Sequence, residues 1–300
     1  MSNVLITGGS GLVGTALSSL LAEQGHSVKH LSRTRNLSAA FPAYEWNLNE
    51  GTADDEAFHG IDYIFHLAGA NISDGKWTND RKKIITDSRV KSGELLAKKV
   101  KELNIPLKAF IAASATGYYG SLTSEKIFNE TDSAADDFLG TVCKKWEDSS
   151  LKFQDMNIRT VLLRTGVVLT LNGGALKKLH TPVKLGIATP IGSGKQYMPW
   201  IHIKDLCKLY LEVMNKDSFS GPYNAVSPKH IDNNTFIKKL AKSAKRPFWP
   251  LNVPSFIIHL LFGEMSTIIL NGSRISSLMA VKQGFVFEYA DLEMTFNDLI

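Results

Sequence analysis

Apolar residues in the first half of the chain alternate between short continuous runs and stretches where they recur every three or four positions. Val4–Thr7 is the first run. Leu12, Val13, Ala16, Leu17, Leu20 and Leu21 follow at helical spacing, and Gly25 is placed to end that helix. Ser27–Leu31, Asp62–Leu67 and Phe110–Ala113 read as further strands. Between the last two, Lys82–Leu103 carries a long helical pattern closed by Pro106. Cys143–Gln154 reads as a helix and Arg159–Leu169 as a Val- and Leu-rich strand. Strands separated by helices in this order predict a parallel α/β sheet with helices on both faces.

The second half is less regular. Pro182, Pro190, Gly192, Gly194 and Pro199 punctuate Thr181–Trp200. A strand at Ile201, a helix Lys204–Lys216 with Asp205 as its cap, and a last strand Tyr223–Val226 are predicted next. Thr235–Ala244 and Ser255–Leu261 are helical by pattern, and Gly284–Tyr289 alternates like an extended segment. Two domains follow: residues 1–227, and a small, mainly helical cap at 247–300 that serves as a pocket lid or a dimer surface.

Composition changes this picture little. At 300 residues, with 44% hydrophobic and 21% charged, the chain is an ordinary globular one and not disordered or disulfide-stapled. A net charge of +5 suits anionic small ligands and is too small to argue for nucleic acid. The basic run Arg81–Lys108 reads as a solvated helix face. The two cysteines, Cys143 and Cys207, form no CxxC pair, and no cluster has metal-ligand spacing. Free thiols and no room for a leader before Val4 lead to the expectation of a cytoplasmic protein. Val253–Leu270 is interrupted by Pro254, His259, Gly263 and Glu264, so no membrane span, and no membrane partner, is expected.

The strongest chemical signal is Val4-Leu5-Ile6-Thr7-Gly8-Gly9-Ser10-Gly11-Leu12-Val13-Gly14. Gly8 suits a tight turn, Gly11 leaves room for a pyrophosphate, and Gly14 lets the helix approach the strand. The helix N-terminus then offers free N–H groups to phosphate. At the end of the second strand, where an acidic residue would select a free ribose, the chain has Leu31-Ser32-Arg33. Arg33 suits a 2′-phosphate, so NADP(H) is the expected cofactor rather than NAD(H). A plain solvent-exposed arginine is the alternative.

With these residues the chain resembles an extended short-chain dehydrogenase/reductase. Thr7-Gly8-x-x-Gly11-x-x-Gly14, Phe65-His66-Leu67-Ala68-Gly69 and Trp200-Ile201-His202-Ile203-Lys204-Asp205-Leu206 carry that resemblance. More narrowly, Leu67–Ile72, Trp77, Ser88-Arg89, Gly117-Tyr118-Tyr119-Gly120, Lys145-Trp146-Glu147, Arg164–Leu169, Gly192–His202 and Gly284-Phe285-x-Phe287 are similar to an atypical "epimerase family protein" group with a small C-terminal domain of unknown function. The resemblance implies a Rossmann-like, doubly wound parallel sheet. It implies cofactor contacts from Thr7, Gly8, Gly9, Ser10, Gly11, Leu12, Val13, Gly14, Ser32, Arg33, Leu67, Ala68, Gly69, Arg89 and Val168.

The usual Tyr-x-x-x-Lys acid/base pair is missing. With Glu147 as landmark, Leu139 falls at the Tyr position and Cys143 at the Lys position. An ungapped count puts Ala115 at the usual hydroxyl site, flanked by Ser114 and Thr116. Tyr118 and Ser114 are the candidate catalytic residues, and Tyr119, Trp200 and His202 the candidate substrate-pocket wall. Each also has a bland reading as a packing residue. Two functions remain open: an NADP(H)-dependent oxidoreductase or epimerase-like enzyme on a small molecule, and a non-catalytic NADP(H) sensor.

Overall fold

In the computed structural model, which describes residues 1–300, β1 (Asn3–Thr7) is a strand whose side chains feed two separate cores. Val4 and Ile6 point to one face with Leu17, Leu21, Leu209 and Tyr210, while Leu5 points to the other with Leu95, Leu96, Val100 and Phe153. Period-2 alternation with apolar residues on both sides is what a strand covered on both faces requires.

The chain continues through α1 (Leu12–Glu23), β2 (Ser27–Ser32), β3 (Ala43–Asn47), β4 (Thr52–Ala53), β5 (Tyr63–His66), α2 (Asn79–Glu102) and β6 (Ala109–Ala115). It then forms β7 (Ile127–Phe128), α3 (Phe138–Leu151), β8 (Arg159–Thr165), β9 (Val167–Leu169), α4 (Gly174–Lys184), β10 (Trp200–His202), α5 (Ile203–Asn215) and β11 (Gly221–Ala225). The last part holds α6 (Asn233–Ser243), α7 (Ser255–Phe262), α8 (Thr267–Leu270), β12 (Arg274–Ile275), α9 (Leu278–Lys282) and α10 (Leu292–Leu299).

The main sheet has the order β11-β8-β6-β5-β1-β2-β3-β4, parallel except for the β3–β4 pair. It is a Rossmann-like sheet, and its strand order reverses at β1. Thr7, Ser32, His66, Ala115 and Thr165 therefore end their strands along one edge. Ligands of open parallel sheets bind at that edge.

A third core joins Leu169, Leu176, Val183 and Trp200 to Phe236, Leu240, Leu292 and Phe296. Residues on either side of position 227 thus share one apolar cluster. A fourth core seats Phe262, Met265 and Ile268 of the C-terminal region on Ile72, Trp77, Ile85 and Leu139. Lys82 and Glu264 pair across this contact at 2.6 Å.

Three local expectations are corrected. The α5 cap is His202, whose Nδ1 accepts from the Lys204 N–H; Asp205 lies in the first turn and accepts from the Glu288 and Tyr289 N–H groups instead. Those two bonds hold Gly284–Tyr289 as a loop against α5, without strand partners. The long pattern before Pro106 starts earlier than expected, at Asn79, because Thr78 accepts from the Arg81 N–H and caps it.

Candidate active site

The turn after β1 is built by close approach. Gly8 has φ +72°, and a Cβ there would meet Ala68 N and Leu67 C at 2.9 Å. A Cβ on Gly14 would stand 2.2 Å from Gly8 O, so α1 can start where it does only with glycine at that position. Gly9 faces the His30 ring, a contact with no local signal in the chain. His30 in turn bonds Ser18 Oγ at 2.8 Å, and Ser18 donates to Gly14 O.

The N-terminus of α1 has no side-chain cap and no acidic residue in its first turn. Its Leu12 and Val13 N–H groups are left free at the positive end of the helix dipole. By contrast, Thr78, Asp137 and Asp232 cap α2, α3 and α6. Gly173 and Gly174 lie against the Leu12 side chain, with Cβ positions 3.4 Å from it. That second glycine pair was legible as Gly-Gly but carried no motif.

A buried relay fixes the Leu67–Ala68 main chain. The Ala68 N–H donates to Thr7 Oγ1, which bonds His66 Nδ1 at 2.8 Å. Ser92 Oγ lies 3.1 Å from His66 Nε2 and bonds the Ser88 carbonyl at 2.7 Å. One arrangement of protons satisfies every bond: Thr7 donates to Nδ1, and Nε2–H donates to Ser92. Burial pushes the His66 pKa down to about 4, so the ring is neutral.

Ser32 and Arg33 close β2. Arg35 pairs with Asp54 and Glu56 at 2.9 and 3.1 Å, whereas Arg33 is exposed and has no ion pair. Arg89 is held by Ala70 O and Ile85 O at 3.0 and 2.9 Å, with its guanidinium 4.9 Å from the Trp146 ring. It has no carboxylate partner, its Nη2 makes no hydrogen bond in the protein, and burial lowers its pKa. A Cβ on Gly69 would touch Arg89 Cζ at 3.0 Å, which places the guanidinium beside the Leu67–Gly69 strand end. Val168 sits in β9, paired with Ile201.

Leu139 and Cys143 occupy the face of α3 that packs on Gly117. Burial, reinforced by the charge of Glu147, pushes the Cys143 thiol up to about 12. In place of a Tyr–Lys pair, a buried network fills the space. Ser114 Oγ donates to Glu147 Oε1 at 2.6 Å, and Arg164 grips both Glu147 oxygens at 2.8 Å. Arg164 Nη1 also donates to Tyr119 Oη and Glu130 O. Tyr119 donates to Asn224 Oδ1 at 2.7 Å, and burial raises its phenol to about 12. Glu147, Arg164 and Asn224 were not among the expected site residues. Glu147 and Arg164 stood in the quoted motifs, but their pairing across 17 positions had no local signal.

Tyr118 differs from its neighbour. It is half-buried, its ring face lies 3.5 Å from Arg164 Cζ, and its hydroxyl has no partner in the protein. The pocket wall expected of Trp200 and His202 is corrected. Trp200 is enclosed in the third core, and His202 is stacked on Tyr289 at 3.9 Å, with Nε2 3.2 Å from Asp298 Oδ2 but not aligned for a hydrogen bond. Both side chains are sealed from solvent by α10 and the preceding loop. No group of His, Cys, Asp and Glu has the arrangement of a metal site.

Residues 4–141 match the model of the NAD dependent epimerase/dehydratase family, and residues 253–299 match a domain of unknown function, DUF1731. "Epimerase family protein YfhF" of Bacillus subtilis is 36% identical, covering 99% of this chain and 98% of its own. The chain belongs to this epimerase family. A Staphylococcus aureus epimerase family protein is 32% identical over 100% of the chain and 99% of its own length. The crystal structure of human epimerase family protein SDR39U1 (isoform 2) with NADPH superposes with TM-score 0.87 at 30% identity, covering 99% of this chain and 98% of that one. UDP-glucose 4-epimerase of Thermotoga maritima with UDP-glucose has TM-score 0.77 at 19% identity over 98% of this chain and 97% of that one, a likeness of fold alone.

Proposed function

We propose that this epimerase-family protein binds NADP(H) along the β1–α1 turn and acts as a reductase or dehydrogenase on a small molecule. The observation that carries the reading is the uncapped N-terminus of α1, in an intact glycine turn with free Leu12 and Val13 N–H groups. That cradle fits a pyrophosphate. Arg33, exposed and without an ion pair at the end of β2, suits the 2′-phosphate, and Arg89 brings a cation that no carboxylate neutralises. Thr7, Gly8, Gly9, Ser10, Gly11 and Gly14 shape the turn. Ser32 supports the ribose end, and Leu67, Ala68, Gly69 and Val168 supply flanking main chain. The NADPH named with the human relative agrees with this choice.

NADPH, when bound, supplies a hydride. The chain must then offer a hydrogen-bond donor to the acceptor oxygen, and the free hydroxyl of Tyr118 is that donor. Ser114 and Tyr119 act beneath it, because both hydroxyls are already committed to Glu147 and Asn224. Reversible epimerisation needs a base. Cys143 and Tyr119, both held protonated by burial, do not supply one at neutral pH. This favours net reduction, which needs only a donor, over oxidation and epimerisation, both of which must take a proton from a substrate hydroxyl. The closed Ser114–Glu147–Arg164–Tyr119 network also favours a second reading, an NADP(H) sensor without turnover.

A panel of carbonyl compounds and sugar nucleotides, followed by NADPH absorbance, separates the two. Turnover lost in Tyr118→Phe, with nucleotide binding intact, supports the reductase. Binding without turnover on any compound supports the sensor.

A further inference from the structure

We infer that the surface formed by the α4–β10 loop, the α6–α7 connection and α7 docks on an anionic membrane surface without crossing it. Leu185 and Leu251 are 76% exposed, Phe256 68% and Leu260 76%. Leu185 and Ile187 lie beside Trp249: the Trp249 N–H donates to Ala188 O and its indole to Gly186 O, and Ala188 bridges Phe248. Leu251 lies two residues beyond Trp249, and α7 begins four residues after Leu251 with Ser-Phe-Ile-Ile-His-Leu-Leu-Phe. Of these eight residues only Ile258 is fully buried. Large apolar side chains exposed in this number on connected segments mark an interaction site.

Charge selects the occupant. There is no Asp or Glu between Asp155 and Asp205, nor between Asp232 and Glu264. These stretches supply the whole surface. Lys184, Lys195, Lys245 and Arg246 are exposed on them, and none forms an ion pair. A second copy docking face to face would set these cations against one another. Exposed Leu, Phe and Trp together with four unpaired cations, on stretches that carry no acidic residue of their own, is the make-up of an interfacial contact with anionic lipid. No helix is long and apolar enough to cross a membrane, and a contact of this kind requires none.

Trp249 provides a built-in reporter. It is 50% exposed, while Trp46, Trp77, Trp146 and Trp200 are at most 7% exposed. The test is sedimentation of the full chain with phosphatidylcholine vesicles with and without phosphatidylserine, with tryptophan emission read in parallel. Co-sedimentation and a blue shift are expected only with phosphatidylserine. Trp249→Phe should lose most of the shift and keep most of the binding. Lys245→Glu/Arg246→Glu, and separately Leu251→Asp/Phe256→Asp, should each weaken binding about tenfold or more at unchanged melting temperature. No sedimentation at low salt, or undiminished binding by the Leu251→Asp/Phe256→Asp variant, overturns the inference. So does a dimer in analytical ultracentrifugation that both double variants dissociate, or binding to polyglutamate but not to vesicles.

Discussion

At the residue scale, the glycine turn rests on backbone packed directly against backbone, which makes substitution there sharply testable. Gly14→Ala forces a Cβ to 2.2 Å from Gly8 O, and backbone cannot give way as a side chain does. The variant should lose about 1–3 kcal/mol in chemical denaturation, and nucleotide binding with it. His66 gives a pH prediction. Burial lowers its pKa from 6.5 to about 4, so between those values the unfolded chain binds the proton and the folded one does not. Its contribution, on the order of 3 kcal/mol, is complete above about pH 6.5 and lost as pH falls toward 4. Melting temperatures of wild type should fall steeply across that window. His66→Gln should start lower and fall less steeply, though not flatly, since burial also lowers His202 to about 4. A profile as steep as wild type would refute the assignment. The sequence placed His66 in a motif but could not show its ring nitrogens, because Thr7 and Ser92 reach it from 59 and 26 positions away.

At the element scale, β1, α1, β5, α2, β6 and β8 were legible because each carries its own periodicity, strand or helix. The helix α4 was passed over: Pro182 lies inside it, and its apolar residues Leu176 and Val183 pack on α6, which is distant in sequence. The expected cap at Asp205 failed for a related reason, since its partners Glu288 and Tyr289 arrive from the C-terminal loop. What replaces the Tyr–Lys pair is likewise a contact between elements. Glu147 on α3 and Arg164 on β8 lock these two together in the interior. Removing one partner strands a buried charge, so Arg164→Met should cost about 3–5 kcal/mol. The Arg164→Met/Glu147→Gln double variant should cost clearly less than the sum of the two single changes in urea unfolding. Strict additivity would mean that the pair does not couple.

At the scale of the whole molecule, the parallel sheet brings the turn, Arg33 and Arg89 to one edge, and the C-terminal region closes over the region between α2 and α3. Trp77, at the start of α2, packs on Phe138 at 4.9 Å and belongs to the same core as Met265. The sequence anticipated a cap but not its seat, because apolar residues in α7 and α8 do not say which face they cover. The sheet order and the family follow from the chain as a whole. The chemistry does not, because the usual acid/base pair is replaced and Tyr118 alone keeps a free hydroxyl near Arg164.

The proposed NADP(H) site puts the pyrophosphate at this edge and lets Arg33 choose the phosphorylated form. Calorimetric titration of nucleotide-free protein with NADPH and with NADH tests it most directly, in wild type and Arg33→Ala. NADPH should bind at least about tenfold more tightly than NADH to wild type, and Arg33→Ala should remove most of that preference while leaving NADH binding unchanged. Binding of neither nucleotide by a folded sample, a preference for NADH, or an unchanged ratio in Arg33→Ala would contradict it.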